Sequence, residues 1–425
     1  MRRYSFILLV AAVGCAFSSS ARAQKFLPKA IKFEGVPEYS TQELLAATGI
    51  RKGEVLGYAE MNGYSQKLLS TGVFATVAFK FDGVDLTFSL TPSPDLYPVR
   101  LDNLPLTPGP DLDAKLRAML PLYHGKVPSD GGLADDVRDA LAKLLAEQGI
   151  AATVIATTGA DMDTHKVNAV VYSISSPPVS IGAVKTAGVS PELASPVENA
   201  VNEIATLSFD TANSADNLRR AVEQVYHDRG YAAVKVQAVR AGAPAVTADA
   251  IRVPFAIDVD AGRVYKLAAI HLPDGAPMTQ EEIARIVADR PGAPPEGVRI
   301  RTVWFALSGR YKAQGRLECK IVPHPQFDDA AATVSYNVDV DPGPVYHLGL
   351  VKFDNVSDEL RTALLHNWQM MPGDVFDETY VSQFIYKAQQ QDPGLRQKLA
   401  GVKVSFDARA DQQAHTVNLV IRLSR

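Results

Sequence analysis

The sequence has very little cysteine. Only Cys15 and Cys319 occur among 425 residues. Cys15 falls in a predicted leader segment, so the rest of the chain cannot form an intrachain disulfide. Basic residues are not in excess either, with 43 Lys and Arg against 47 Asp and Glu, which gives no indication of a nucleic-acid-binding surface. Beyond the N-terminus, no apolar run approaches the ~18 residues of a membrane helix. These absences favour ordinary domains that are stabilised by hydrophobic cores.

The N-terminus has the three parts of a secretory signal peptide. Arg2 and Arg3 precede an apolar run over residues 6–17, and an Ala-Arg-Ala tripeptide ends at Ala23. This order predicts a signal peptide over residues 1–23 and export of the chain. The alternative is a lipidated Cys15. It is disfavoured because Ala12 stands three residues before it, where a larger aliphatic residue is usual.

The exported chain consists of five copies of one pattern. Each copy contains a glycine that ends a helical run and is followed at once by an alternating strand. Successive glycines are 77 to 86 residues apart. They are expected at helix ends, where the left-handed backbone conformation costs glycine little. The five glycines are Gly72, Gly149, Gly230, Gly315 and Gly401.

Each copy is predicted to be a strand, two helices and two strands. Ser40 with Glu43, and Thr279 with Glu282, form capping boxes at the start of the first helix, and Ser357 is a candidate third cap. The second helix carries apolar residues at 3–4 spacing, and the two strands after it alternate with a period of two. The fold class is therefore α+β. The predicted units are 28–93, 97–177, 178–261, 264–342 and 345–425.

This pattern resembles the POTRA (polypeptide-transport-associated) repeat. The opening unit reads IKFEGVPEYSTQELL, then KGEV between its helices, then KLLSTGVFATVAF. The fifth unit repeats the inter-helix element as PGDVF. POTRA repeats are β-α-α-β-β units that occur in tandem on the periplasmic side of Omp85/BamA-type outer-membrane assembly proteins. The resemblance implies five POTRA-like units in an extended rod, periplasmic and associated with the outer membrane through partners.

The resemblance also implies a function. Family members that insert proteins carry a membrane barrel after the repeats, whereas this sequence ends at Arg425 after the last predicted strand, so we expect no barrel in it. We expect a non-enzymatic binding scaffold or chaperone-like module for outer-membrane or translocating polypeptides. Its partners would be polypeptide clients or an outer-membrane barrel protein. The alternative is a structural protein that bridges an outer-membrane complex to another envelope component.

The second strand of each unit is an edge strand in the POTRA family, and an edge can accept an added strand. Lysine occurs there in four units, as Lys80, Lys235, Lys320 and Lys403. These lysines either block unwanted pairing or mark an edge that accepts a chosen partner. Unit two has no lysine, so its edge is the predicted peptide-binding site. Its residues are Ala151, Ala152, Thr153, Val154, Ile155, Ala156 and Thr157.

Other residues give little indication of chemistry. The eight histidines show no metal-binding spacing, and neither a cofactor nor a catalytic site is predicted. Cys319 stands at the same distance from its glycine as Val234, so it is interpreted as a small core residue. Trp304 and Trp368 are predicted to lie in helices near unit junctions. Packing is the favoured role of Trp304, within its own unit or against the neighbouring one, and both tryptophans are also candidate partner contacts.

Overall fold

The structure, a computed structural model, describes residues 25–51, 53–161, 166–354, 356–400 and 402–424. The predicted signal peptide with Cys15, as well as His165, Gly401 and Arg425, lies outside the described residues. The chain divides into two compact units, residues up to Pro178 and residues from Val179 onward. The N-terminal unit contains two modules and the C-terminal unit contains three, numbered here in chain order. A module is one mixed sheet with its helices, and the boundaries predicted from sequence remain predictions.

Modules 1 and 2 each add a short strand between their helices. Module 1 comprises β1 (Lys25–Phe26), β2 (Ala30–Glu34), α1 (Thr41–Thr48), β3 (Leu56–Gly57), α2 (Tyr58–Ser70), β4 (Phe74–Phe81) and β5 (Asp85–Pro92). Module 2 comprises β6 (Leu96–Leu101), α3 (Pro110–Met119), β7 (Lys126–Pro128), α4 (Gly132–Glu147), β8 (Thr153–Ala160) and β9 (Val167–Ser176). The sheet orders are β2-β5-β4 and β7-β6-β9-β8.

Modules 3 and 4 share the order strand, two helices and two strands, and module 3 adds a 3-10 turn and the short strand β12. Module 3 comprises β10 (Val179–Ala187), a 3-10 turn (Pro191–Leu193), α5 (Ala194–Ala205), α6 (Ser214–His227), β11 (Lys235–Arg240), β12 (Ala245–Val246) and β13 (Ile251–Asp260). Module 4 comprises β14 (Lys266–His271), α7 (Gln280–Val287), α8 (Glu296–Ala313), β15 (Lys320–Asp328) and β16 (Thr333–Asp341). Their sheets run β10-β13-β11 and β14-β16-β15.

Module 5 comprises β17 (His347–Asp354), α9 (Asp358–Asn367), α10 (Glu378–Gln391), α11 (Pro393–Lys398), β18 (Lys403–Asp411) and β19 (Thr416–Ser424), in the order β17-β19-β18. Its second helix is shorter than predicted. It ends at Gln391 because proline cannot continue a helix. Asp392 instead caps α11 by accepting a hydrogen bond from the Leu395 N–H at 3.1 Å.

All five sheets share one arrangement. The last strand of the module lies in the middle, parallel to the first strand and antiparallel to the second. One face of each sheet packs against the helices. The predicted helix stripes are buried, as in Leu133, Val137 and Leu141 of α4. Each fully buried leucine stabilises the fold by about 1.5–3 kcal/mol. The α+β fold class is confirmed.

The sequence signals for helix ends hold in the structure. Ser40 and Thr279 form complete capping boxes, and the Ser357 hydroxyl accepts a hydrogen bond from the Leu360 N–H. The described closing glycines all have positive φ, between 76° and 88°: Gly72, Gly149, Gly230 and Gly315.

Neighbouring modules within a unit meet at these glycines. In the C-terminal unit the Gly230 carbonyl accepts a hydrogen bond from the Tyr265 N–H at 2.9 Å, and Gly315 accepts one from Tyr346 at 2.8 Å. In the N-terminal unit the Thr71 carbonyl accepts from the Leu133 N–H at 3.1 Å. The end of one module's second helix is thereby tied to the next module.

We expect Gly35→Ala to destabilise module 1. Gly35 has a φ of 93°, and an added Cβ would lie 2.1 Å from the Leu90 carbonyl oxygen. The free energy of local opening, measured by hydrogen exchange at β5, should fall by about 1–3 kcal/mol. Gly63→Ala is the matched control, because Gly63 is helical with open space around it, and it should raise stability by about 0.5–1 kcal/mol. Equal effects of the two substitutions would contradict the structure.

Glu282 should make module 4 sensitive to acid. Its carboxylate accepts from Arg310 at 2.6 Å and from the Thr279 N–H at 2.8 Å, which lowers its pKa from 4.5 to about 2. The resulting stabilisation is complete above pH 4.5 and is lost as the pH falls towards 2. Glu282→Gln should flatten the pH dependence of module 4 opening in this window. Glu281→Gln, beside it and exposed, should leave that dependence unchanged.

Candidate strand-addition site

The strand after the second helix is the outermost strand of its sheet in every module. These strands are β4, β8, β11, β15 and β18. Each pairs with the last strand of its module on one side, and among the described residues no strand pairs with its other side. This outer side therefore presents backbone N–H and C=O groups that an extended chain can bind.

In modules 2 to 5, the opposite edge of the sheet is closed at its start by the segment between the two helices or by the first residue of the second helix. In module 2, β7 pairs antiparallel with β6, so that Tyr97 faces Val127. In module 4 a side chain covers the edge, because the Glu296 carboxylate at the start of α8 accepts a hydrogen bond from the Leu267 N–H at 2.9 Å. Module 1 differs, since its β3 pairs with β1 in a two-stranded sheet separate from β2-β5-β4.

Modules 3 and 5 close this edge with the backbone of the inter-helix segment. In module 3, Ser208 forms an antiparallel bridge with Ser180. In module 5, the Gly373 N–H donates to the Leu348 carbonyl at 2.7 Å, and the Phe376 N–H donates to the Tyr346 carbonyl at 2.9 Å. In modules 2 to 5 the two edges of the sheet are thus unlike, since only one of them is covered from within the module.

The inter-helix motif noted in the sequence has a structural role. Gly53 and Gly373 have φ values of 81° and 94°, which permits a tight turn. Glu54 then accepts from the Arg51 N–H at 3.0 Å, and Asp374 accepts from the Met371 N–H at 2.7 Å. Two residues after each acid, the chain buries an apolar side chain completely: Leu56 in module 1 and Phe376 in module 5.

The predicted peptide-binding edge coincides in part with β8. The strand starts at Thr153 and continues to Ala160, so Ala151 and Ala152 precede it. Within the predicted segment only Val154 is buried, and the side chain of Ile155 is 38% exposed. Ile155, Ala156 and Thr157 pair with Ser173, Tyr172 and Val171 of β9. The outer edge of β8 consequently carries small, neutral and largely exposed side chains.

The other four edge strands contain lysine, and one of them also contains proline, residues that disfavour pairing with an added strand. Lys235, Lys320 and Lys403 are the first residues of their strands, Lys80 is the penultimate residue of β4, and all four are exposed. β15 also contains Pro323 and Pro325. Two prolines in alternate positions of an edge strand place their missing N–H groups on the outer side, where an added strand would need them. β8 alone among the five has neither a charged residue nor a proline.

Neither tryptophan is fully buried. Trp304 lies in α8 and packs edge-on against Tyr336 of its own module, with ring centroids 5.7 Å apart. It also lines a cleft of about 280 Å³ between modules 3 and 4. Trp368 follows the last residue of α9 rather than lying inside it. It contacts Tyr380 and Phe384, so both residues have packing roles within their modules.

Titratable residues form no metal cluster in the part of the chain that the structure describes. His124 lies 3.1 Å from Glu43, and His324 lies 3.0 Å from Asp339. Cys319 is half-buried against the core of module 4, and this burial raises the pKa of its thiol. The thiol therefore stays protonated at neutral pH, as expected of a small core residue. In the described residues, every helix is too short or too polar to span a bilayer.

Comparisons with known proteins give structural likeness only. No family model matches the sequence. POTRA domains 3–5 of BamA from Haemophilus influenzae match 58% of this chain and 96% of their own, at 14% identity and a TM-score of 0.38. The N-terminal domain of Omp85 from Thermosynechococcus elongatus matches 59% and 98%, at 20% identity and a TM-score of 0.19. POTRA domains 1–3 of the periplasmic domain of Omp85 from Anabaena match 58% and 94%, at 19% identity and a TM-score of 0.20. The strand order and register of each module define its architecture without these likenesses.

Proposed function

We propose that this chain is a periplasmic, POTRA-type binding protein that holds extended polypeptides by strand addition to β8. The observation that carries the proposal is the contrast between β8 and the other four edge strands. Its residues from Thr153 to Ala160 leave a full strand edge without lysine or proline. Its clients would be outer-membrane or translocating polypeptides, and its role would be binding rather than catalysis.

The size of this edge favours weak and reversible binding. Eight residues of strand extend about 26 Å, and roughly half of their backbone groups point outward. Roughly eight added hydrogen bonds, one for each outward N–H or C=O group, would contribute about 0.5–1.5 kcal/mol each, against which association entropy acts. Small side chains add little selectivity. These features suit transient capture of many unfolded chains. A permanent bridge between envelope complexes would instead need an interface of about 1,600 Å².

Site-specific crosslinking tests the proposed edge. A photo-crosslinking residue at Ile155 of the full chain should capture an unfolded outer-membrane precursor. The matched control is the same residue at Val322, which lies on the proline-containing strand β15 and is exposed to 47%, compared with 38% for Ile155. We expect at least a fivefold excess of adducts at Ile155.

The crosslinking result has two contrary outcomes. Equal capture at Ile155 and Val322 would mean that the β8 edge is not the binding site. A single folded partner, captured in stoichiometric amount from envelope extracts in place of many precursors, would favour the bridging role instead.

Placing a lysine on the open edge should weaken capture. Thr157→Lys introduces on β8 the charge that the other four edges carry, and an added strand would then have to bury or displace it. We expect precursor adducts at Ile155 to fall severalfold, with unfolding free energy changed by no more than about 0.5 kcal/mol. Ala114→Lys, on the exposed side of α3, adds the same charge and should leave capture unchanged. Undiminished capture by Thr157→Lys would contradict the proposal.

A further inference from the structure

The first strand of module 3 has an edge that is only half closed. The bridge from Ser208 to Ser180, with the Phe209 N–H 3.4 Å from the Val179 carbonyl, covers the start of β10. A bulge follows between Ile181 and Val184, where the register with β13 shifts by one residue. Beyond it, within the described residues, no strand pairs with the outer side of β10.

A groove runs along this open half of β10. It has a volume of about 610 Å³ and lies between residues Gly182 to Val189, which include the second half of β10, and one side of α5, from Ala194 to Ala205. That volume is within the range of ligand sites, about 300–1,000 Å³. The twelve residues of α5 extend about 18 Å, the length of a strand of five or six residues. The groove thus has the dimensions of one extended peptide.

The backbone of β10 is oriented to bind such a peptide. Because the Val179 carbonyl already accepts a bond from outside the sheet, Val179 and Ile181 present their backbone groups outward. Those two residues face Ile251 and Val253 of β13. After the bulge, Val184 and Thr186 face Phe255 and Ile257, so they take the same orientation. An added strand would continue on the side of β10 where Ser208 and Phe209 already pair.

The groove has a defined charge. Glu198, at its middle on α5, is the single ionisable residue among those that line it, and its side chain is exposed. Asn202 lies one helical turn further on. The other lining residues are glycine, alanine, threonine and valine, among them Ala183, Val184 and Val201. Such a groove admits small side chains and attracts a cation.

We propose that this groove is a second peptide site, which binds an extended segment with small side chains and one lysine or arginine opposite Glu198. The segment adds as a strand to β10 at Val184 and Thr186. This site is separate from β8 and differs from it in selectivity, because β8 has no charged side chain that could select a peptide by its charge. Binding here does not depend on the proposed role of β8.

Charge exchange provides the first test. A fluorescein-labelled nine-residue peptide of alternating Thr and Ala, with a central lysine, is titrated against the full chain and followed by fluorescence anisotropy. Glu198→Lys should weaken binding three- to tenfold, in line with a partly exposed ion pair turned repulsive, and should favour the peptide with a central glutamate. Glu203→Lys, on the same helix outside the groove, should change neither affinity.

Hydrogen exchange provides the second test. Saturating lysine peptide should slow exchange of the Val184 and Thr186 amides at least tenfold, while β11 stays unchanged. Thr157→Lys on β8 should leave this protection intact, so failure of one site is distinguishable from failure of the other. Binding that is insensitive to Glu198→Lys, or that leaves β10 unprotected, would overturn the proposal.

Discussion

In each sheet, the two outer strands have backbone N–H and C=O groups that find no partner within the sheet. The rest of the structure depends on how these groups are bound. Because the last strand of a module takes the central position, the first and second strands both become edges. In modules 2 to 5, the start of the first edge is covered by a short strand, by backbone hydrogen bonds from the segment between the helices, or by the Glu296 side chain. The backbone groups that remain available to an added strand are those of the second strand and those of the first strand beyond its covered start.

The features that sequence predicted correctly are local ones. A capping box such as Thr279 with Glu282 lies within one turn of helix, and a closing glycine such as Gly230 is required by its own backbone angle. Helix stripes and strand alternation follow from periods of 3.6 and 2. These signals are sufficient for the order of elements and for placing β8 at an edge once the family resemblance supplies the strand order.

The features that sequence did not reveal depend on tertiary pairing. β3 and β7 have two and three residues, too few for any periodic signal, and they exist because another strand lies beside them. The Gly-Glu-Val and Gly-Asp-Val motifs were visible, but their structural role was not. The groove beside β10 depends on a one-residue bulge and on the side of α5 that faces the strand, neither of which sequence spacing specifies. Asp392 and Pro393 were the available signal for the early end of α10.

The parallel pairing of first and last strands has a consequence for how the chain acquires its structure. A module's opening strand is separated by some sixty residues from the central strand that must lie beside it, so no sheet can assemble until the whole module is available. Closing a loop of this length makes formation of the native sheet slow compared with a local hairpin. Until then the two outer strands have nothing to join, and the unfolded module is itself an extended polypeptide of the kind that we propose its folded neighbours bind.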